Sequence, residues 1–173
     1  GGIKSIANVT SKLVPFMTVT YVIGALLVIL INADKVPWAL SAIFTEAFNP
    51  SAMSGGMLGV MILGFQRAAF SNEAGIGTEA LAHGAAKTAE PVREGLVAML
   101  GPIIDTLLIC SATAFVILLS GVWAQDNSGN GVTLTVAAFR ELLGAPGVIV
   151  VLVCAICFAV TTILTYSFYG AQC

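Results

Sequence analysis

Charge is scarce in this sequence. Of 173 residues, seven are Lys or Arg and nine are Asp or Glu, together 9%, against a usual ~25%. Too few charges are present to cover the surface of a soluble domain. The 58% apolar share excludes disorder, which needs low hydrophobicity and many charges. Seven basic residues and a net charge of −2 exclude a nucleic-acid partner and a coiled coil. Histidine occurs once and cysteine four times, and neither forms a metal-ligand pattern. Cys154-Ala-Ile-Cys157 matches C-x-x-C but lacks the βαβ setting of a redox motif. With Cys110, these cysteines read as small apolar helix residues.

What is present is long apolar runs, and mean hydropathy is +0.98. The class is an all-α integral membrane protein. The chain opens at Gly1-Gly2 and closes in apolar-aromatic sequence through Cys173. The expectation is an internal piece of a larger protein.

Charge-free runs at 13–33, 47–66, 95–125 (broken only by Asp105) and 142–173 mark four expected transmembrane spans in one membrane domain, placed at about 13–33, 51–86, 91–120 and 145–170. Each reaches the ~20 residues a bilayer requires. Between the first two, Pro37 suits a helix start, and Trp38, Phe44 and Phe48 suit an interface. Residues 126–131 form a turn-rich loop. Thr133–Leu143 reads as a short amphipathic helix with Leu134, Ala137, Ala138 and Leu142 on one side. Lys4, Lys12, Lys87 and Arg93 fall on one side of the bundle, Lys35 and Arg140 on the other. This bias puts the N-terminal end and the loop before residue 91 inside the cell, in a multi-pass protein of the cytoplasmic membrane.

Polar groups inside the spans point to function. The second span is expected to break near 71–78, where Gly75 and Gly77 flank Ile76 and Ser71, Asn72, Glu73 and Thr78 gather. Unwound backbone at membrane depth is tolerated where it lines a cavity or is buried in protein. Its free N–H and C=O ends can bind a carboxylate and a cation. The other reading of this stretch is a loop at the inner mouth of the span. Asp105 lies near the middle of the third span, where an acidic side chain costs roughly 2.5–3.5 kcal/mol and marks a pathway or a partner. Thr161, Thr162 and Thr165 offer oxygen donors to a hard cation, although such hydroxyls usually bond back to the preceding turn. His83 could relay a proton. With no acid partner expected for it, it reads as a helix-end residue.

Phe70-Ser-Asn-Glu-Ala-Gly-Ile-Gly-Thr-Glu-Ala-Leu-Ala-His-Gly-Ala-Ala-Lys-Thr88 resembles the signature stretch of the alanine or glycine:cation symporter family, the sodium:alanine symporters. So do Gly1-Gly-Ile-Lys4, Leu13-Val-Pro-Phe-Met17, Glu94-Gly-Leu-Val-Ala-Met-Leu-Gly101 and Ile104-Asp-Thr106. The resemblance covers essentially the whole chain. It implies part of the five-plus-five inverted-repeat fold of the amino acid–polyamine–cation superfamily, with four transmembrane helices, one of them broken, and short interfacial helices. The spans then look like the fifth, broken sixth, seventh and eighth core helices. The first repeat would be supplied by the remaining helices of the full-length transporter.

The same resemblance implies roles. Phe70, Ser71, Asn72, Glu73, Gly75, Ile76, Gly77 and Thr78 would line the amino-acid site, with Ile76 as a wall of a small pocket. Tyr166 stands where family members commonly carry Trp, and is counted with that site. Asp105 with Thr106 would hold a cation or the substrate's amino group. The carbonyl of Ala159 and the hydroxyls of Thr161 and Thr162 match a sodium site. The implied activity is sodium-coupled symport of alanine or glycine by alternating access. No cofactor is expected beyond sodium as the coupling ion, and no enzymatic chemistry. Alternatives are proton coupling through Asp105, Glu73 or His83, and a channel or non-transporting membrane scaffold.

Overall fold

The computed structural model describes residues 3–47, 61–62, 64–66, 77–125 and 131–172. Among these residues the regular structure is helical throughout. In chain order the elements are α1 (Ile3–Ile31), a 3-10 turn (Ala33–Lys35), α2 (Val36–Ala47), α3 (Glu79–His83), α4 (Pro91–Ile103), a π-helical segment (Ile104–Cys110), α5 (Ser111–Ser120), a 3-10 turn (Val122–Ala124), α6 (Val132–Leu143) and α7 (Ala145–Gln172). Among the described residues, three stretches are long and apolar enough to cross a membrane: Ser5–Ile31, Pro91–Ser120 and Ala145–Ala171. The expected second span falls mostly outside the described residues; residues 61–62 and 64–66 of it are helical.

α1 begins ten positions before the expected start at 13. Lys4 and Lys12 bound the charge-free run, but charge does not stop a helix. The polar first turns close on themselves: Thr10 Oγ1 donates to the Ile6 carbonyl at 3.0 Å and Ser11 Oγ to that of Asn8 at 3.1 Å. At the other end Asn32 donates both its backbone N–H and its Nδ2 to the Val28 carbonyl, at 3.1 and 3.0 Å. These bonds satisfy one of the carbonyls that a helix leaves orphaned.

The described chain divides into two compact units, residues 1–37 with 108–173, and residues 38–107. In the first, α1, α5 and α7 pack around the short α6. Its core is Ala25, Val28, Ala112, Val116, Ala138, Phe139 and Val151. Phe139 is fully buried and its ring lies 5.7 Å from that of Tyr21. The expected apolar face of α6 named Ala138 but not Phe139, which follows it round the helix and is the largest fully buried side chain. α6 is therefore a wedge, and not simply a strip lying on an interface.

The turn between α6 and α7 is tight. Gly147, in the first turn of α7, has no room for a side chain. A Cβ there would lie 2.5 Å from the Phe139 carbonyl oxygen and 2.9 Å from Leu143 Cβ. Farther along, Cys154 Sγ sits 3.6 Å from the Met17 carbonyl of α1. Small residues thus let backbones approach closely, as membrane helices require when lipid is as apolar as their side chains. The second unit carries most of α2, together with α3, α4 and the start of the π segment; α3 packs on α4. On α2, Trp38 and Phe44 are exposed. Exposed Leu30, Val92, Leu107 and Ile163 give both units apolar outer surfaces suited to lipid or to other helices.

Candidate functional site

The third span changes its hydrogen-bond register halfway. Pro102, inside α4, has no N–H to give to the carbonyl four residues back, and its ring crowds that carbonyl. Two residues later the helix widens into the π segment Ile104–Cys110. Single π turns inside α-helices are frequent at functional sites. This one holds Asp105 and Thr106, the first half-buried and the second exposed. Asp105 is legible in the sequence as an acid within an apolar run; the π turn is not, and Pro102 three residues before Asp105 is the one local signal of it.

The far end of the π segment is held by a directed chain of hydrogen bonds. Thr113 Oγ1 donates to the Ile109 carbonyl at 2.7 Å. Its single proton is thereby used, so the Tyr21 hydroxyl, 2.6 Å away, donates to Thr113. This link from α1 was not legible in sequence, since its partners are 92 positions apart. Tyr21→Phe removes one interhelical bond and leaves the Thr113–Ile109 bond intact. The expected loss is about 0.6–1.7 kcal/mol of stability, read from thermal unfolding in detergent. A Tyr21→Phe, Thr113→Val double-mutant cycle isolates the coupling.

On α7, Thr161 and Thr165 bond back as hydroxyls in membrane helices do. Thr161 Oγ1 donates to the Phe158 carbonyl at 2.9 Å and Thr165 Oγ1 to that of Thr161 at 2.8 Å. Thr161 is 6% exposed and continues the stripe of Val151 and Cys154, which are also buried. Ala159, Thr162 and Tyr166 occupy a different face: Thr162 is half-buried and the other two are exposed. The carbonyl that lies with the Thr161 hydroxyl is that of Phe158, which the sequence reading did not name. Tyr166 packs edge-on against Tyr169, centroids 5.7 Å apart.

Of the expected substrate-site residues, Phe70, Ser71, Asn72, Glu73, Gly75 and Ile76 lie outside the described residues. Gly77 and Thr78 form the turn that enters α3. Gly77 has φ +85, a conformation costly for any residue with a Cβ. Thr78 Oγ1 is buried and has no hydrogen-bond partner among the described residues. A buried, unpaired hydroxyl is uncommon and marks a place where a polar group can be received.

His83 is the last residue of α3, as a helix-end reading expects, but the expected absence of an acid partner is corrected. It has two acid partners: Nδ1 is 2.6 Å from Glu94 Oε1, and Nε2 is 3.7 Å from Glu79 Oε1. Glu79 stands one helical turn earlier, and the turn between α3 and α4 brings Glu94 back beside it. Among the described residues no group of three or more metal-ligating side chains forms a metal site.

Comparison with known proteins agrees with the motif. The model of the sodium:alanine symporter family matches residues 1–173. The chain is 42% identical to an uncharacterized transporter of Haemophilus influenzae, covering 100% of this chain and 39% of that protein. It is 40% identical to the sodium/alanine symporter AgcS of Methanococcus maripaludis, over 100% of this chain and 39% of the other. It is 38% identical to a putative sodium/proton-dependent alanine carrier protein, YrbD, of Bacillus subtilis, over 97% and 37%. The chain thus spans under two fifths of the length of these relatives. On the match over its whole length, the chain belongs to the sodium:alanine symporter family, a family of transporters and not of enzymes.

Proposed function

We propose that this chain is part of a carrier that moves a small neutral amino acid, alanine or glycine, together with sodium across the cytoplasmic membrane. The observation that carries the reading is the π segment. It sets Asp105 and Thr106 near the middle of a membrane-long helix, Pro91–Ser120, where an acidic side chain is costly and marks a pathway or a partner. Asp105 and Thr106 take the cation or the substrate's amino group. Gly77 and Thr78, with residues 70–76, take the amino acid, and the unpaired Thr78 hydroxyl supports a polar cargo there. The Ala159 carbonyl with the Thr162 hydroxyl, or on the buried face the Phe158 carbonyl with the Thr161 hydroxyl, forms a second cation position. The remaining helices of the full-length protein complete a five-plus-five inverted-repeat fold, and alternating access exposes the site to each side in turn. The sodium gradient supplies about 2.3 kcal/mol per charge per 100 mV, plus its concentration term.

The full-length protein in liposomes tests this. Labelled alanine is expected to accumulate above equilibrium under an inward sodium gradient and not under potassium. Equilibration without accumulation would mark a channel. Proton coupling is the second reading, favoured by the Glu79–His83–Glu94 cluster and by the sodium/proton description of one relative; accumulation driven by a pH gradient in the absence of sodium would establish it. Thr162→Ala should raise the sodium concentration for half-maximal uptake about three- to tenfold, since one oxygen ligand is worth about 1 kcal/mol.

A further inference from the structure

α3 has five residues, too few to hold a helix by itself. What holds it lies at its two ends. His83, the last residue, reaches Glu94 on α4, and Glu79, the first, lies against Gly101 on α4, where a methyl group would stand 3.6 Å from Glu79 Oε1. The imidazole sits between the two carboxylates. Their side chains are between 24% and 31% exposed, so the cluster is neither dry nor fully screened. The other charges of this stretch of sequence are Lys87, Glu90 and Arg93. Arg93 Nε is paired with Glu90 Oε2 at 2.7 Å on an open surface.

The geometry fixes where protons must be. At 2.6 Å, Nδ1 and Glu94 Oε1 need one proton between them. With a neutral imidazole that proton uses the only N–H, and Nε2 turns a lone pair toward the Glu79 carboxylate. A second proton, on Nε2, makes both contacts attractive. Histidine is the side chain that exchanges such a proton between about pH 5 and 8.

We propose that Glu79, His83 and Glu94 form a proton-binding site which, when loaded, clamps α3 onto α4 and holds the Gly77–Thr78 turn in place. Loss of the proton sets the Nε2 lone pair against Glu79, leaves only the Glu94 contact, and so loosens the short helix. The functional consequence rests on the transport reading: the clamp makes uptake sensitive to pH on the side where α3 lies, whichever ion is coupled.

Amide hydrogen exchange of the full-length protein tests the clamp without requiring transport. After correction for the intrinsic rate, the amides of residues 81–86 should be at least about threefold better protected near pH 5.5 than near pH 8.5, the range over which histidine titrates. His83→Gln and Glu94→Gln should each abolish that difference. His83→Lys, which keeps a positive charge throughout, should protect the segment at both pH values. Equal protection of the wild type at both pH values, or a difference that survives His83→Gln, would overturn the proposal. A carrier with another cargo would still show the clamp, so failure of the transport reading is separable.

Discussion

Asp105→Asn in the full-length transporter is expected to cut sodium-driven alanine uptake by between about tenfold and a hundredfold. That is the range for removing a contact to a charged group, about 1.5–3 kcal/mol. The substitution keeps size and shape and removes the acid. The amide keeps a hydrogen-bonding group at this position and inserts at lower cost than an acidic side chain, for which mid-membrane insertion costs about 2.5–3.5 kcal/mol. Abundance and thermal unfolding of the variant should therefore match or exceed the wild type while uptake falls. Wild-type uptake by Asp105→Asn would remove the π segment from the mechanism. The half-buried position of Asp105, one residue into the π turn, makes it the most informative side chain to change.

The second large effect is structural. Gly147→Ala places a methyl 2.5 Å from the Phe139 carbonyl oxygen and 2.9 Å from Leu143 Cβ. Neither atom is the free end of a flexible chain, so α6 and α7 must move apart. Overpacking of this kind costs about 1–3 kcal/mol, and Gly147→Val should exceed that range. The displaced element carries Phe139, which is fully buried against Tyr21 and the core of its unit. The expected readout is a lower unfolding temperature for Ala, and loss of monodisperse protein in detergent for Val. An unchanged unfolding temperature for both would show that the corner is looser than its contacts require.

The helices were legible in the sequence to different degrees, for physical reasons. Charge-free length marks where a helix can sit in lipid, and Pro91 and Gly144 are strong local punctuation, so the limits of the third and last spans stand close to those read from the sequence. The same criterion places the start of α1 too late, because Lys4 and Lys12 limit the apolar run without limiting the helix. The π segment is a change of hydrogen-bond register, which composition does not encode; Pro102 only loosens the ladder before it. Phe139 escaped because a single apolar face was drawn along α6, whereas a wedge between α1, α5 and α7 buries more than one face. The Tyr21–Thr113 bond and the Glu94 partner of His83 are tertiary, and no local pattern reports them. Glu79 was within one helical turn of His83 and was legible.

The candidate site was read in halves of different kind. Asp105 stood out by cost alone, since an acid in a 30-residue apolar span is conspicuous. Gly77 and Thr78 are legible through the glycine pair and the motif, and the positive φ of Gly77 is a backbone feature that glycine permits at little cost. The threonines of α7 carried the weakest signal. Back-bonding satisfies the Thr161 hydroxyl proton while leaving its oxygen able to accept, so a structural role and a ligand role share one geometry.

Coupling is the central claim, and its most direct test runs the carrier backwards in cause and effect. The full-length protein is placed in liposomes with equal sodium on both sides and no membrane potential. An inward alanine gradient is then imposed and labelled sodium is followed. Sodium is expected to rise transiently above equilibrium inside, driven by alanine alone, and Asp105→Asn to abolish the rise. Alanine that equilibrates while sodium stays at the leak rate would contradict it.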